Sequence, residues 1–178
     1  MGRWTGMDQP MPAQTNRSPD PVARELSKNL REDNVAHLGP SAALTLDADA
    51  LVRAAVETMR AGRSGCLLVT SGGRLVGLFT ERDLLTRVLA AGRSLDTPLR
   101  EVMTPSPVTT ELQEPLRVAI RRMQEGGYRH LPVVDGNGRP VGVLSARQVV
   151  HYIVEHFPAL VFNQPPDPRQ FPEAPEGA

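Results

Sequence analysis

The sequence contains little of what several common protein classes require. Cys66 is the one cysteine in 178 residues, which excludes an internal disulfide and is typical of a protein in a reducing cytoplasm. Aromatic residues make up only 4% of the chain, so a core drawn from its 40% hydrophobic residues must be mainly aliphatic. Basic and acidic residues number 20 each, so the net charge gives no reason to expect a nucleic-acid or membrane partner.

Other absences narrow the function. No apolar run approaches the roughly 18 residues that a membrane span needs, and the first ten residues lack the apolar core of a secretory signal. No His, Cys and Asp cluster has metal-ligand spacing, and nothing matches a catalytic triad or a Walker loop. We therefore expect a cytoplasmic protein that is not an enzyme and has no metal site.

What the sequence does contain is an internal duplication. The segment from Gly77 to Asp83 (GLFTERD) recurs 65 residues later, from Gly142 to Gln148 (GVLSARQ). Matching segments that lie earlier in the two copies are 64 residues apart, which places a one-residue insertion near residues 126–127. Two copies favour a pseudo-symmetric pair of units over a longer array.

Each copy has the pattern β-α-β-β-α. We predict first strands at 44–46 and 108–110, then helices with apolar residues at helical spacing that end at glycine. Hairpins follow at 66–79 and 130–144, and second helices at 81–89 and 146–156. The predicted fold class is α/β (α+β), with two such repeats packed about a pseudo-two-fold axis.

The repeats divide the chain into four parts. Residues 37–92 form the first repeat and residues 93–157 the second. Residues 1–36 are an N-terminal tail with a short helix at 21–31, and residues 158–178 are a proline-rich C-terminal tail. The tails are predicted to be disordered, although the apolar residues 160–162 could dock on a partner subunit or on their own domain.

The spacing of two polar residues in the first copy suggests a ligand site. Thr80 ends a predicted strand and can cap the following helix, whose free N–H groups favour a phosphate. One turn later, Asp83 could accept hydrogen bonds from both hydroxyls of a ribose. Gln148 replaces this aspartate in the second copy. A helix cap for Thr80 and helix stabilisation for Asp83 are the plainer alternatives.

The order of these motifs, together with the linker Val102 to Pro105 (VMTP) and the segment Tyr128 to Asp135 (YRHLPVVD), resembles a tandem cystathionine-β-synthase (CBS) domain pair, or Bateman module. The resemblance covers about residues 38–157. It implies a non-enzymatic regulatory module that binds AMP, ADP or ATP between its repeats, with or without Mg²⁺, and that requires no cofactor.

The resemblance also implies which residues form the site. To Thr80 and Asp83 it adds the adenine-flanking and phosphate-binding positions of the second repeat, namely Pro107, Val108, Arg129, His130 and Arg147. The mirror site is expected to be empty or weak, because Gln148 replaces the carboxylate and Ser64 and Gly65 stand where Arg129 and His130 stand.

The resemblance further implies a homodimer, formed through apolar second helices, and an unidentified regulated protein as a further partner. Two alternatives stay open. One is a constitutive dimerisation scaffold with a vestigial ligand site. The other is binding of S-adenosylmethionine, which the cationic residues disfavour because its sulfonium is itself positively charged.

Overall fold

The computed structural model describes residues 21–158, so the predictions for residues 1–20 and 159–178 lie outside the described range. The helices are α1 (Pro21–Glu32), α2 (Val52–Ala61), α3 (Glu81–Asp83, continued by a π-helix over Leu84–Leu89), α4 (Leu116–Gly126) and α5 (Ala146–His156). The strands are β1 (Thr45–Asp47), β2 (Cys66–Ser71), β3 (Arg74–Thr80), β4 (Thr104–Pro105), β5 (His130–Val134) and β6 (Pro140–Ser145). The mixed fold of two hairpin-and-helix repeats is confirmed.

The first repeat is built on a four-stranded sheet in the order β1-β2-β3-β4. β1 runs parallel to β2, whereas the other neighbours are antiparallel. Helix α2 covers this sheet with Val52, Ala55 and Met59, which are buried at helical spacing. They pack against Leu67 and Phe79, both fully buried, and so form an aliphatic core with one aromatic ring.

In the second repeat the predicted strand at 108–110 is reduced to a single bridge. Thr110 pairs with Val133 in parallel orientation, and its N–H donates to the carbonyl of Pro132 at 2.9 Å. At the equivalent place in the first repeat, the N–H of Leu68 donates to Leu44 at 2.8 Å. Pro132 has no N–H to donate, so the ladder cannot extend toward residue 108.

The segment before each repeat pairs with the sheet of the other repeat. The linker strand β4 lies beside β3, with Thr104 opposite Leu78. Reciprocally, Ser41 exchanges backbone hydrogen bonds of 3.0 and 2.9 Å with Val143 of β6. This exchange ties the repeats together and accounts for their pseudo-symmetry.

Helix α1 also packs on the second repeat. It contributes Val22, Leu26 and Leu30 to an apolar cluster around Leu116, Tyr152 and Phe157. The hydroxyl of Tyr152 donates to the carboxylate of Asp33, just after the helix. The short helix predicted in the N-terminal segment therefore exists and is a packed element.

The strand pairing corrects the position of the one-residue insertion. Cys66 pairs with Thr80 in the first hairpin, and His130 pairs with Ser145 in the second. The first strands are thus still 64 residues apart, and the offset of 65 begins only on the second strands. The extra residue lies in the hairpin turn and not near residues 126–127. Consequently Gly65 and Cys66, rather than Ser64 and Gly65, are the equivalents of Arg129 and His130.

The two repeats meet through a small apolar contact. Cys66 and Leu68 of β2 pack against Val143 of β6, and all three side chains are buried. Burial raises the pKa of the Cys66 thiol. A thiol that is buried and held protonated is a packing residue rather than a nucleophile.

Candidate functional site

Thr80 and Asp83 form a reciprocal cap at the start of α3. The hydroxyl of Thr80 accepts from the Asp83 N–H at 3.2 Å. In return, Oδ2 of Asp83 accepts from the N–H of Thr80 at 3.0 Å and from its hydroxyl at 2.7 Å. Asp83 is 7% exposed, and its carboxylate already caps the helix.

A second partner of Asp83 comes from the π-helix. Nε of Arg87 lies 3.2 Å from Oδ1 of Asp83. Nη1 of the same side chain donates to the carbonyls of Met103 at 2.5 Å and Val102 at 3.3 Å. Arg87 therefore joins the carboxylate to the linker between the repeats. The ion pair could have been predicted from the sequence, because an acid and a base stand at positions i and i+4. The contact with the linker could not, because it depends on the pairing of β4 with β3.

The second repeat builds the same cap with a carboxamide. Oε1 of Gln148 accepts from the N–H of Ser145 at 2.8 Å and from its hydroxyl at 2.9 Å. Nε2 of Gln148 donates directly to the carbonyl of Gly39, at 2.8 Å, in the segment that leads into the first repeat. The oxygen and the nitrogen of this amide are both occupied, so the mirror position has no free charged acceptor for a ribose.

The predicted cationic residues gather at the start of β5 and α5. The carbonyl of Arg129 accepts from the N–H of Ala146 at 2.9 Å, which brings Arg129 and Arg147 to the same helix N-terminus. Both side chains are exposed, whereas His130 is half-buried. The two arginines are thus accessible to an anion at this end of the second repeat.

Glu81 connects the two halves of the site and was not singled out in the sequence. Burial lowers the pKa of His130, the carboxylate of Glu81 opposes this effect, and the charge of Arg129 adds to it. Glu81 also lies over Gly65, to whose carbonyl its N–H donates at 3.0 Å. The carboxylate in the first turn of α3 therefore acts electrostatically on the start of β5 in the other repeat.

Pro107 and Val108 lie on the segment that crosses between the repeats. This segment follows β4, which belongs to the first sheet, and precedes Thr110, which bridges to β5. Pro107 is half-buried and Val108 is 39% exposed. An exposed apolar side chain at the crossover is available to one face of a planar ligand.

Within residues 21–158, no group of three His, Cys, Asp or Glu side chains is placed to hold a metal ion. No helix in the same range is long and apolar enough to cross a membrane.

Comparison with known proteins agrees with this architecture. A family model described as the CBS domain matches residues 27–90 and 99–155, which is more than half of the chain. The chain belongs to the CBS domain family. The two matches make it a tandem CBS pair.

Plant proteins that contain CBS domains are among the relatives of this chain. The Arabidopsis thaliana CBS domain-containing protein CBSCBSPB1 is 36% identical over 123 residues, which are 67% of this chain and 22% of that protein. This CBS pair thus spans about a fifth of the plant relatives that it matches.

This chain covers a larger share of several solved structures than of the plant relatives. A CBS domain protein from Pyrobaculum aerophilum, solved in complex with AMP, is 30% identical with a TM-score of 0.61, over 65% of this chain and 89% of that one. CBSX2, also solved in complex with AMP, is 25% identical with a TM-score of 0.59, over 68% of this chain and 96% of that one.

The half-buried His130 should make stability depend on pH. Because burial lowers its pKa in the folded chain, the unfolded chain binds more protons below about pH 6.5. This contribution to stability is fully present above that pH and is lost as the pH falls toward the folded pKa. Between about pH 7.5 and 5.5, the melting temperature of His130→Gln should therefore fall less than that of wild type. The control is His151→Gln, which removes an exposed histidine. Equal behaviour of the two variants would contradict the assignment.

Proposed function

We propose that this CBS pair is a non-catalytic regulatory module that binds an adenine nucleotide, AMP, ADP or ATP, in the cleft between its repeats. Asp83 receives the ribose, and Thr80 with the first turn of α3 lies beside the phosphate. Arg129 and Arg147 supply positive charge from the second repeat, His130 supplies a ring N–H donor, and Pro107 with Val108 flanks the adenine.

The proposal is supported by the packing of the two hairpins: Cys66, which pairs with Thr80 of the capped turn, packs against Val143 of β6 in the second repeat. Glu81, two residues before Asp83, acts on the pKa of His130. The backbone of Arg129, which precedes His130, is hydrogen-bonded to Ala146, which precedes Arg147. The AMP complexes of two similar CBS proteins support this ligand class.

The asymmetry between the repeats supports a single strong site per chain. Gln148 uses its amide oxygen on Ser145 and its amide nitrogen on Gly39. Gly65 and Cys66 stand where the other site has Arg129 and His130. The mirror position therefore lacks the charged acceptor and the equivalents of Arg129 and His130, and keeps only Arg82 at the place of Arg147.

A dimerisation scaffold with a vestigial site is the second candidate. The observation that favours it is the Asp83 carboxylate, which already has three partners within the chain, two from Thr80 and one from Arg87. Under this alternative Asp83 is a structural cap, and no adenine nucleotide stabilises the fold. S-adenosylmethionine is a weaker candidate because Arg129 and Arg147 oppose a sulfonium charge.

The proposed module is a cytoplasmic homodimer, and its regulated partner is a further protein. Cytoplasmic location rests on the lone, buried and reduced Cys66. The homodimer rests on apolar side chains that remain exposed on the second helices, chiefly Leu85 and Val150 at 59% each.

The phosphate assignment predicts a graded response to the number of phosphates. Arg129→Ala and Arg147→Ala should each lower affinity for ATP more than for adenosine, because an arginine bound to a phosphate contributes a charge-assisted hydrogen bond. Thermal-shift titration with adenosine, AMP, ADP, ATP and S-adenosylmethionine measures this. Arg121→Ala is the control, since its guanidinium pairs with Glu125 on the exposed face of α4. Absence of a shift with every ligand would favour the scaffold, and equal losses for adenosine and ATP would remove the phosphate role.

A further inference from the structure

We propose that Arg87 couples the ribose carboxylate to the linker between the repeats, so that a bound nucleotide loosens the linker from the first repeat. This inference rests on the proposed function, because it concerns what happens when a ribose reaches Asp83. It names Arg87 as the residue that links ligand binding at Asp83 to a change in the linker.

The carboxylate of Asp83 is crowded before a ligand arrives. Oδ2 accepts two hydrogen bonds from Thr80, and Oδ1 faces the guanidinium of Arg87. A carboxylate has about four acceptor positions, and this side chain is only 10% exposed. Two vicinal hydroxyls therefore need a position that a present partner holds.

Arg87 is the partner that can leave. The Thr80 contacts belong to the helix cap and include a backbone N–H, whose loss would leave a polar group without a partner. The Arg87 side chain is 44% exposed, so water can take the place of the carboxylate on its guanidinium, which the buried cap contacts do not allow. We therefore expect the ribose to take the Oδ1 position from Arg87.

The departure of Arg87 has a consequence at the linker. Its Nη1 donates to the carbonyls of Val102 and Met103, immediately before β4. The ion pair with Asp83 holds the guanidinium in the direction of those carbonyls. Once Asp83 binds a ribose instead, the arginine loses this constraint, and the linker loses the hydrogen bonds that fasten it to the helix.

The second repeat has no such exchangeable residue. Gln148 contacts both the cap and the leading segment with one carboxamide, so no side chain stands between them. Tyr152 occupies the position equivalent to Arg87. Its hydroxyl donates to Asp33 and not to the side chain of Gln148. The coupling is therefore a property of the first repeat, where the proposed ligand site lies.

The experiment compares hydrogen–deuterium exchange of the linker peptide, residues 99–104, with and without saturating AMP. In wild type, AMP should speed exchange at Val102, Met103 and Thr104. In Arg87→Met, exchange should already be fast without AMP and should not change further on binding. The same variant should bind AMP about twofold to fivefold more tightly, because the competitor for Asp83 is gone.

Two further variants separate coupling from a merely structural effect. Arg93→Met removes an arginine of similar exposure whose Nη1 lies 3.6 Å from Glu101 of the same linker but which makes no contact with Asp83. It should retain the wild-type response to AMP. Arg87→Lys keeps the charge and should retain part of the response, even if Arg87→Met folds poorly.

The outcomes distinguish the two proposals. If AMP binds through Asp83 but leaves the linker unchanged in wild type, or changes it equally in Arg87→Met, the coupling is wrong and the proposed function stands. If AMP does not bind to wild type at all, the proposed function fails and the coupling fails with it.

Discussion

Asp83→Ala should lower the affinity for AMP about tenfold to a hundredfold, because loss of hydrogen bonding to a charged group costs about 1.5–3 kcal/mol. The carboxylate is the one acidic group of the α3 cap that points at both Thr80 and Arg87. Isothermal titration calorimetry of the wild type and the variant measures the loss directly.

The alanine variant needs a control because Asp83 also caps a helix. Removing such a cap costs about 0.5–2 kcal/mol of stability, so weaker binding could reflect a loosened fold. Asp83→Asn resolves this, since Gln148 builds the equivalent cap with a carboxamide. The asparagine variant should fold with near-native stability and still bind AMP poorly, because it has lost the charge that ribose hydroxyls contact.

Either variant binding AMP as well as wild type would contradict the ribose assignment. Asp83 would then be only a cap, and the scaffold alternative would gain from the result. Loss of binding in both variants, with thermal unfolding of Asp83→Asn unchanged, would separate the ligand role from the structural one.

The regular elements were predictable because their signals are local. The second helix of the second repeat was predicted at residues 146–156 and is observed at Ala146–His156. Gly127 ends α4 with a φ of 65°, a conformation that glycine adopts without strain. Helical spacing of apolar residues and a glycine at the end of a helix involve only residues that are near each other in the chain. They can therefore be recognised in a single sequence.

The misplaced insertion has a physical origin in turn chemistry. The two hairpin turns look alike because Gly72, Gly73 and Gly138 all have positive φ. Turn geometry requires glycine there whatever the alignment of the strands. The offset of 65 between Gly73 and Gly138 holds for the second strands but not for the first strands, where the register makes His130 equivalent to Cys66.

The linker contact of Arg87 and the position of Glu81 lay beyond the sequence for a different reason. Both depend on the exchange of leading segments, in which β4 joins the first sheet and Ser41 pairs with Val143. Such pairings join residues far apart in the chain, and no local pattern encodes them. The site residues themselves stay predictions until a ligand is measured.

The second prediction with a large effect concerns assembly. Leu85 on the π-helix and Val150 on α5 occupy equivalent positions in the two repeats, and each side chain is 59% exposed. Leu89, at 55%, is equivalent to the half-buried Val154. The chain therefore presents the same apolar patch twice about its pseudo-two-fold axis. A surface of this kind is self-complementary and suits a symmetric homodimer.

The double variant Leu85→Glu/Val150→Glu should dissociate that dimer, because each glutamate would bury a charge without a partner in the interface. Sedimentation velocity at micromolar concentration should give twice 19.4 kDa for wild type and 19.4 kDa for the variant. Circular dichroism should be unchanged, since both positions are exposed within the chain.

Val141→Glu is the matched control for the added charge. Val141 is an apolar residue of β6 with 44% exposure, and it lies outside the second helices. This variant should remain dimeric. A monomeric wild type, or a dimeric double variant, would show that the exposed leucine and valine serve another contact, because burial of apolar area at the helices is the only driving force that the homodimer proposal invokes.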